Sequence, residues 1–461
     1  VNDLIRWLRL SGWVFLCLWC LWCLWLPAGA AFAQPAPQTA SSPGLQKLID
    51  ATPEGGTLIL QAGRYAGGST IGKSIRVEAR GEVLIQGDGP EPALHIQADN
   101  VQLRGVVLEQ NAGDETAALL VTGSGTLLEE LTVRTVAFGI VLRDNERNEI
   151  RQTTVRRLGE GEDPSGANSR MASDKRNGID LYNSHQNRIH DNDIAGMNDG
   201  IYLESSHRNL VENNYVEHSR YGIHLMYTDG TVVRGNRGAY NITGAMVMGV
   251  KDAEVTDNTF MKQSESVNSQ GLLFFDVETS RIAGNKVEGN RVGLFIEQSH
   301  RNEFGNNDVL RNFVGVQFLE SEGNRFTGNR FIGNVIESQA NESEDNVFTG
   351  NYWEAFKGLD TNGDGVSELE YAMNPFFERL TSAVPAFQLF FQSPGMLFLE
   401  SMFTSGQEQW SVDVAPRMSP AVNAPSGEAS RGPAPAGTLA IGLFLLASSI
   451  FTTYYLGVRR R

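Results

Sequence analysis

Four stretches of this chain, "GIDLYNS" at 178, "GIYLESS" at 200, "GIHLMYT" at 222 and "GAMVMGV" at 244, begin 22 residues apart. "GLLFFDV" at 271, "GLFIEQS" at 293 and "GVQFLES" at 315 resume the stride. A second motif travels in phase with them. It reads N-x-[VIF]-x-x-N, as in "NRIHDN", "NLVENN" and "NRFTGN", and its last asparagine recurs at Asn192, Asn214, Asn236, Asn258, Asn285, Asn307, Asn329 and Asn351. A unit this short cannot bury its apolar side chains alone, but stacked copies can. The spacing predicts an all-β, right-handed parallel β-helix in which each coil is a short strand, a turn and another short strand. The Asn column would cap turn backbone from coil to coil. At about 4.8 Å per coil, residues 93–353 would make roughly a dozen coils, a rod on the order of 55 Å long.

Alternation assigns the faces. In G-I-x-L-x the Ile and Leu enter the core and the intervening positions face out. The first outward column then reads Asp180, Tyr202, His224, Met246, Leu273, Phe295, and the second reads Tyr182, Glu204, Met226, Met248, Phe275, Glu297. The stride breaks twice, by the polar insert "GEGEDPSGANSRMASDKRN" before 178 and by extra residues near "KQSESVNSQ" before 271. Insertions in solenoids usually lie on the binding face, and these two bracket the coils that carry His and Met.

Outside the coils the chain changes character. Residues 1–33 run from Arg6 and Arg9 through "WVFLCLWCLWCLWL" to "AGAAFAQ", the pattern of a cleaved signal peptide. All three cysteines lie within it, so the exported chain would have neither disulfides nor thiolate metal ligands. After a linker at 34–43, "SPGLQKLIDATPEGG" reads as an N-capped amphipathic helix covering the open end of a β-helix spanning 44–355. Beyond it are expected an acidic loop at 356–374 and an apolar helical segment at 375–410 with two short helices broken at Pro394. A flexible Pro/Ala/Ser-rich spacer at 411–437 and an apolar transmembrane helix at 438–458 with a basic tail at 459–461 would complete the chain. The body would then face outward, exported and anchored. Removing residues 1–33 leaves 36 basic and 53 acidic residues, a net charge of −17 that repels nucleic acid and draws cations.

The outward columns carry the first candidate site. His224, Met226, Met246 and Met248 fall on two adjacent coils, within reach of one ion. Imidazole and thioethers without thiolate select Cu(I) over Zn or Mg. An apolar outer patch with Met as gap filler is the competing reading, since Leu273, Phe275 and Phe295 continue the strip. Tyr202, Glu204, His218 and Phe275 are the neighbours expected to line the site. His185, His207 and His300 share one repeat position and read as a turn ladder; His95 and His190 carry no signal.

A second candidate is "DTNGDGVSELEY". Asp360, Asn362, Asp364, the Val366 carbonyl and Glu368 fit positions 1, 3, 5, 7 and 9 of a calcium loop, with Gly365 at the sharp turn. Tyr371 stands where the bidentate Glu belongs, so a single structural Ca²⁺ is expected rather than an EF-hand, and Glu354 or Glu370 could complete it. Hydrolase and phosphate-binding motifs are missing. The rival function is a polysaccharide lyase or epimerase, built on Asp180, Tyr182, Tyr202 and Glu204, or a surface carbohydrate-binding protein.

"RYGIHLMYTDG", "GAMVMGV", the ending "GNYW…GLDTNGDGVSELEY" and the Phe-rich tail together resemble the NosD family, exported β-helix proteins that assist maturation of the copper-sulfide centre of nitrous oxide reductase. The resemblance covers nearly the whole exported chain. It implies binding or relay of Cu(I) without catalysis, in the periplasm. It also implies partnership with an ABC transporter permease and ATPase, with a copper chaperone and with the nitrous oxide reductase apoprotein. The Arg-flanked terminal span departs from the soluble members.

Overall fold

A computed structural model describes residues 44–420, apart from 114, 159–175, 264–268, 342, 344, 391–392 and 406–409. The expected signal peptide, the transmembrane helix, and most of the spacer and of the two inserts lie outside the described residues. Among those described, no helix is long and apolar enough to cross a membrane.

The described chain is a parallel β-helix of about twelve turns, counted by its 12-stranded sheet. After the first turns, each turn carries three strands rather than the expected two, as in Tyr221–Met226, Val232–Arg234 and Arg237–Ala239. In most turns the longer strand stacks in the 12-stranded sheet, while the two short strands join the 26-stranded sheet. The extra strand exists because the asparagine turn is so tight. The residue before each column Asn holds a left-handed backbone: Asp191, Asn213, Gly235, Asp257, Gly284, Asn306, Gly328 and Gly350 have φ between 54° and 70°. Only Gly, Asn and Asp visit that region at little cost, which explains why the motif ends in D-N, N-N or G-N. One such residue bends the chain, and a new strand begins directly after the Asn.

The Asn column is a continuous buried ladder. Asn236 illustrates it: its Oδ1 accepts from the backbone N–H (2.9 Å) and Nδ2 (3.0 Å) of Asn214, and its own Nδ2 donates to the Val211 carbonyl and to Asn258 Oδ1. Backbone groups that the bend withdraws from the sheets are thereby satisfied inside the rod. The core between the sheets is aliphatic through most turns and aromatic toward the C-terminal end, where Phe304, Phe326 and Phe348 stack at 4.5 and 4.7 Å and Phe331 lies on Trp353 at 4.1 Å.

A helix covers the N-terminal end, and Tyr371 and Met373 pack on the last coil beside Trp353 at the other. The helix Leu45–Ala51 buries Leu45 and Ile49 at the N-terminal end, but Gly44 supplies no side-chain cap, so the expected N-cap is not made. At the other end the helices Phe376–Ala383 and Pro394–Met402 flank a 3₁₀ segment, and Ser393 caps the second helix with Pro394 inside its first turn. The segment expected to open a spacer at 411 instead returns to the rod: Val412–Asp413 pairs with Val347–Thr349 and with Tyr371–Ala372. The spacer can begin only after this return, because fully buried Asp413 accepts hydrogen bonds that close the Asn ladder.

Candidate metal centre

The stride places the four sulfur and imidazole residues as the columns require. His224 pairs in register with Met246 and Met226 with Met248; one coil earlier stand Tyr202 and Glu204, one coil later Leu273 and Phe275. Val247 and Leu225 between them fill the core. The three methionines are half-buried.

His224 differs from the expectation of an open, water-facing side chain: it is only 6% exposed. Tyr202 and Tyr221 flank its ring, at 4.9 and 4.8 Å between centroids, and Arg220 lies over Tyr221 at 4.4 Å. Nδ1 of His224 is 2.8 Å from Oδ2 of Asp199, itself 1% exposed. Arg220 grips the same carboxylate with Nε at 3.0 Å and a terminal nitrogen at 3.0 Å. A carboxylate only accepts, so Nδ1 is the nitrogen that donates to Asp199, and Nε2 is the one left to face a ligand. That Nε2 is buried and has no hydrogen-bond partner among the described residues. An orphaned buried ring nitrogen on a strand in register with Met246 and Met248 is chemically suited to a soft metal ion, for which imidazole and thioethers are matched donors.

Tyr202 connects the next pair. Its Oη donates to Glu204 Oε2 (2.8 Å) and lies 3.3 Å from Met226 Sδ. Burial, reinforced by Glu204, pushes the phenol well above its ordinary value, so it stays protonated. Phe275 stands beside Met248 in register. His218 is not brought to this cluster; it occupies the corner before the strand with φ 52°, stacked on Tyr240 at 5.4 Å.

The other histidines divide as their positions suggest. The rings of His185 and His207 stack at 5.3 Å, and each Nδ1 accepts a backbone N–H of the next coil, His207 and Asp229 respectively. They are turn supports. His190, without a sequence signal, is buried between Glu149 (2.9 Å) and Asp191 (2.6 Å), inside a ladder of charges along the short strands. Among the described residues no three His, Cys, Asp or Glu side chains converge on a point that could hold a metal ion.

Asp180, the carboxylate on which a sugar-cleaving site would depend, is 3% exposed and committed to Arg143 at 2.6 Å and Asn177 at 2.6 Å. Burial raises its pKa against the pull of Arg143. In the acidic loop, Asp360 accepts from the amides of Gly363 (2.6 Å) and Gly365 (2.9 Å), and Glu368 from Thr361 (3.0 Å). These amides hold both carboxyls below their ordinary range. The loop is pre-bent, with its carboxylates ionised.

Sequence reasoning missed Asp199, Arg220 and Tyr221. Asp199 heads its strand and reaches His224 diagonally across coils, whereas the columns were read straight across.

Comparisons with known proteins follow the geometry. Residues 162–358, which include every coil of the cluster, match the family model described as "Periplasmic copper-binding protein (NosD)". No curated protein matches the chain. Among solved structures, the alginate lyase AlyF-OU02 aligns at 12% identity with a TM-score of 0.54, over 69% of this chain and 86% of that one. A second alginate lyase, in complex with a trisaccharide, aligns at 12% and 0.53 over the same shares. A module of the mannuronan C-5 epimerase AlgE6 of Azotobacter vinelandii aligns at 13% and 0.46, over 67% of this chain and 88% of its own. At such identities the two lyases share the β-helix and nothing more.

Proposed function

We propose that the chain, whose residues 162–358 match the model of periplasmic copper-binding proteins (NosD), holds and relays Cu(I) on the outer face of its long sheet. The ligands are His224, Met226, Met246 and Met248, and the role is assembly of the copper-sulfide centre of nitrous oxide reductase. The observation that carries this reading is the buried, unpartnered Nε2 of His224 in register with the methionines. Thioethers and an imidazole lone pair bind cuprous ion without having to release a proton, which suits a site that must release its cargo. Copper arrives from a chaperone, and an ABC transporter permease with its ATPase completes the partnership.

The C-terminal segment fits a docking role in this scheme. Met396 and Phe377 turn inward and are buried, while Phe398, Leu399 and Met402 stand more than half exposed. The outer residues face the membrane partner, with residues 438–458 as the anchor. The acidic loop holds one Ca²⁺ that stiffens this end. The polysaccharide reading is the weaker one, since Asp180 is spent on Arg143 and Asn177.

A genetic test is direct. In a denitrifying host lacking this gene, the wild-type chain should restore copper-sulfide absorbance to the reductase, and the chain with all four ligands replaced by Ala should not. Restoration by both would reject the site.

A further inference from the structure

We infer that Asp199, clamped by Arg220, is the positioning residue that sets the ligand tautomer of His224. This inference rests on the copper reading of the site and adds to it two residues outside the ligand set. Asp199 is almost wholly buried, and both of its oxygens are used: Arg220 bonds Oδ1 through Nε and Oδ2 through a terminal nitrogen, and His224 Nδ1 bonds Oδ2. The backbone N–H of Asp199 is tied to Asn177 Oδ1 (3.2 Å). The carboxylate is therefore fixed from three sides, and it presents one acceptor to the imidazole.

An imidazole free of this partner prefers neither nitrogen strongly, and burial would favour whichever tautomer finds a donor or acceptor nearby. Here the acceptor stands only on the Nδ1 side. It keeps the proton there, orients the ring, and raises the basicity of Nε2, the nitrogen left without a partner. Arg220 contributes by pairing with the buried carboxyl group, which would be costly to bury without a partner. Its guanidinium is 40% exposed, so it also fixes the carboxylate from the solvent side.

The test has two readouts. Nitrogen-15 chemical shifts of the metal-free, ¹⁵N-histidine-labelled protein report the tautomer without any metal. Wild type should show His224 protonated at Nδ1, and Asp199→Ala should shift the population toward protonation at Nε2. Competition for Cu(I) against a chromogenic chelator should show about a 10- to 100-fold loss of affinity in Asp199→Ala, the range typical when a ligand loses its outer partner. Asp199→Asn, whose Oδ1 accepts the same proton in the same shape, should lose less and serves if Asp199→Ala folds poorly. Wild-type protein protonated at Nε2, or unchanged affinity in folded Asp199→Ala, would overturn the inference. Copper binding left unchanged by His224→Ala would overturn the copper reading beneath it, whatever the tautomer.

Discussion

Asn351, the last member of the buried amide ladder, gives its backbone N–H (3.1 Å) and its Nδ2 (2.9 Å) to Asp413, 62 residues further along the chain. Trp353 donates its indole N–H to the same oxygen at 3.0 Å. A chain segment far from the repeats thus supplies the acceptor that the next coil would have offered. Asp413→Ala orphans three buried donors. Amides of 347–353 and of 411–417 should then exchange hydrogen at least about tenfold faster, the equivalent of about 1.4 kcal/mol. Unchanged exchange would show that the ladder needs no terminus.

In the middle of the rod the same chemistry predicts a larger cost. Asn236→Ala removes the acceptor for two groups of Asn214 and the donor to the Val211 carbonyl and to Asn258. Chemical unfolding should report a loss of at least about 2 kcal/mol, since each buried polar group left unsatisfied costs about 1–3 kcal/mol. An exposed substitution on the same coil, Arg237→Ala, should cost far less.

The C-terminal end should lose stability as pH rises. Burial pushes the Glu337 carboxyl above its ordinary value, against the hydrogen bonds it accepts from Tyr371 and Ala355. A raised carboxyl pKa means the folded state keeps a proton that the unfolded chain releases near pH 4.3 (about the free value). The group's stabilising share is full below that pH and is lost as pH climbs through the folded value. Glu337→Gln removes this dependence, so the melting temperature of the variant relative to wild type should rise between pH 4 and pH 8. A constant difference would refute the assignment.

Calcium offers a separate check. If the pre-bent loop around Asp360 and Glu368 holds Ca²⁺, millimolar calcium should raise the melting temperature of wild type and leave Asp360→Ala/Asp364→Ala unmoved, because a ligand stabilises only the state that binds it. Equal responses would remove the loop from the account.

Much of this was readable in the repeats, for a physical reason. A fixed stride sets strand register, and register alone decides that His224 lies beside Met246 and Met226 beside Met248. The D-N, N-N and G-N pairs likewise announce a left-handed residue followed by a buried amide. What escaped depends on contacts that no stride encodes. The Asp199–His224 bond runs diagonally between coils, and the third strand of each turn is too short to show alternation. The return of Val412–Asp413 crosses some sixty residues of sequence to reach Asn351 and Trp353. The burial of His224 was hidden because its cover comes from the tilt of the Tyr202 ring and from Tyr221 at the start of its own strand, with Arg220 over Tyr221.

The central claim is that the His224 and methionine cluster is a cuprous site, and anaerobic Cu(I) titration of residues 34–437 against a competing chelator tests it most directly. The account predicts tight binding by wild type and its loss when His224, Met226, Met246 and Met248 are all replaced by Ala, with far-ultraviolet circular dichroism unchanged. Equal affinity in the two proteins would contradict it.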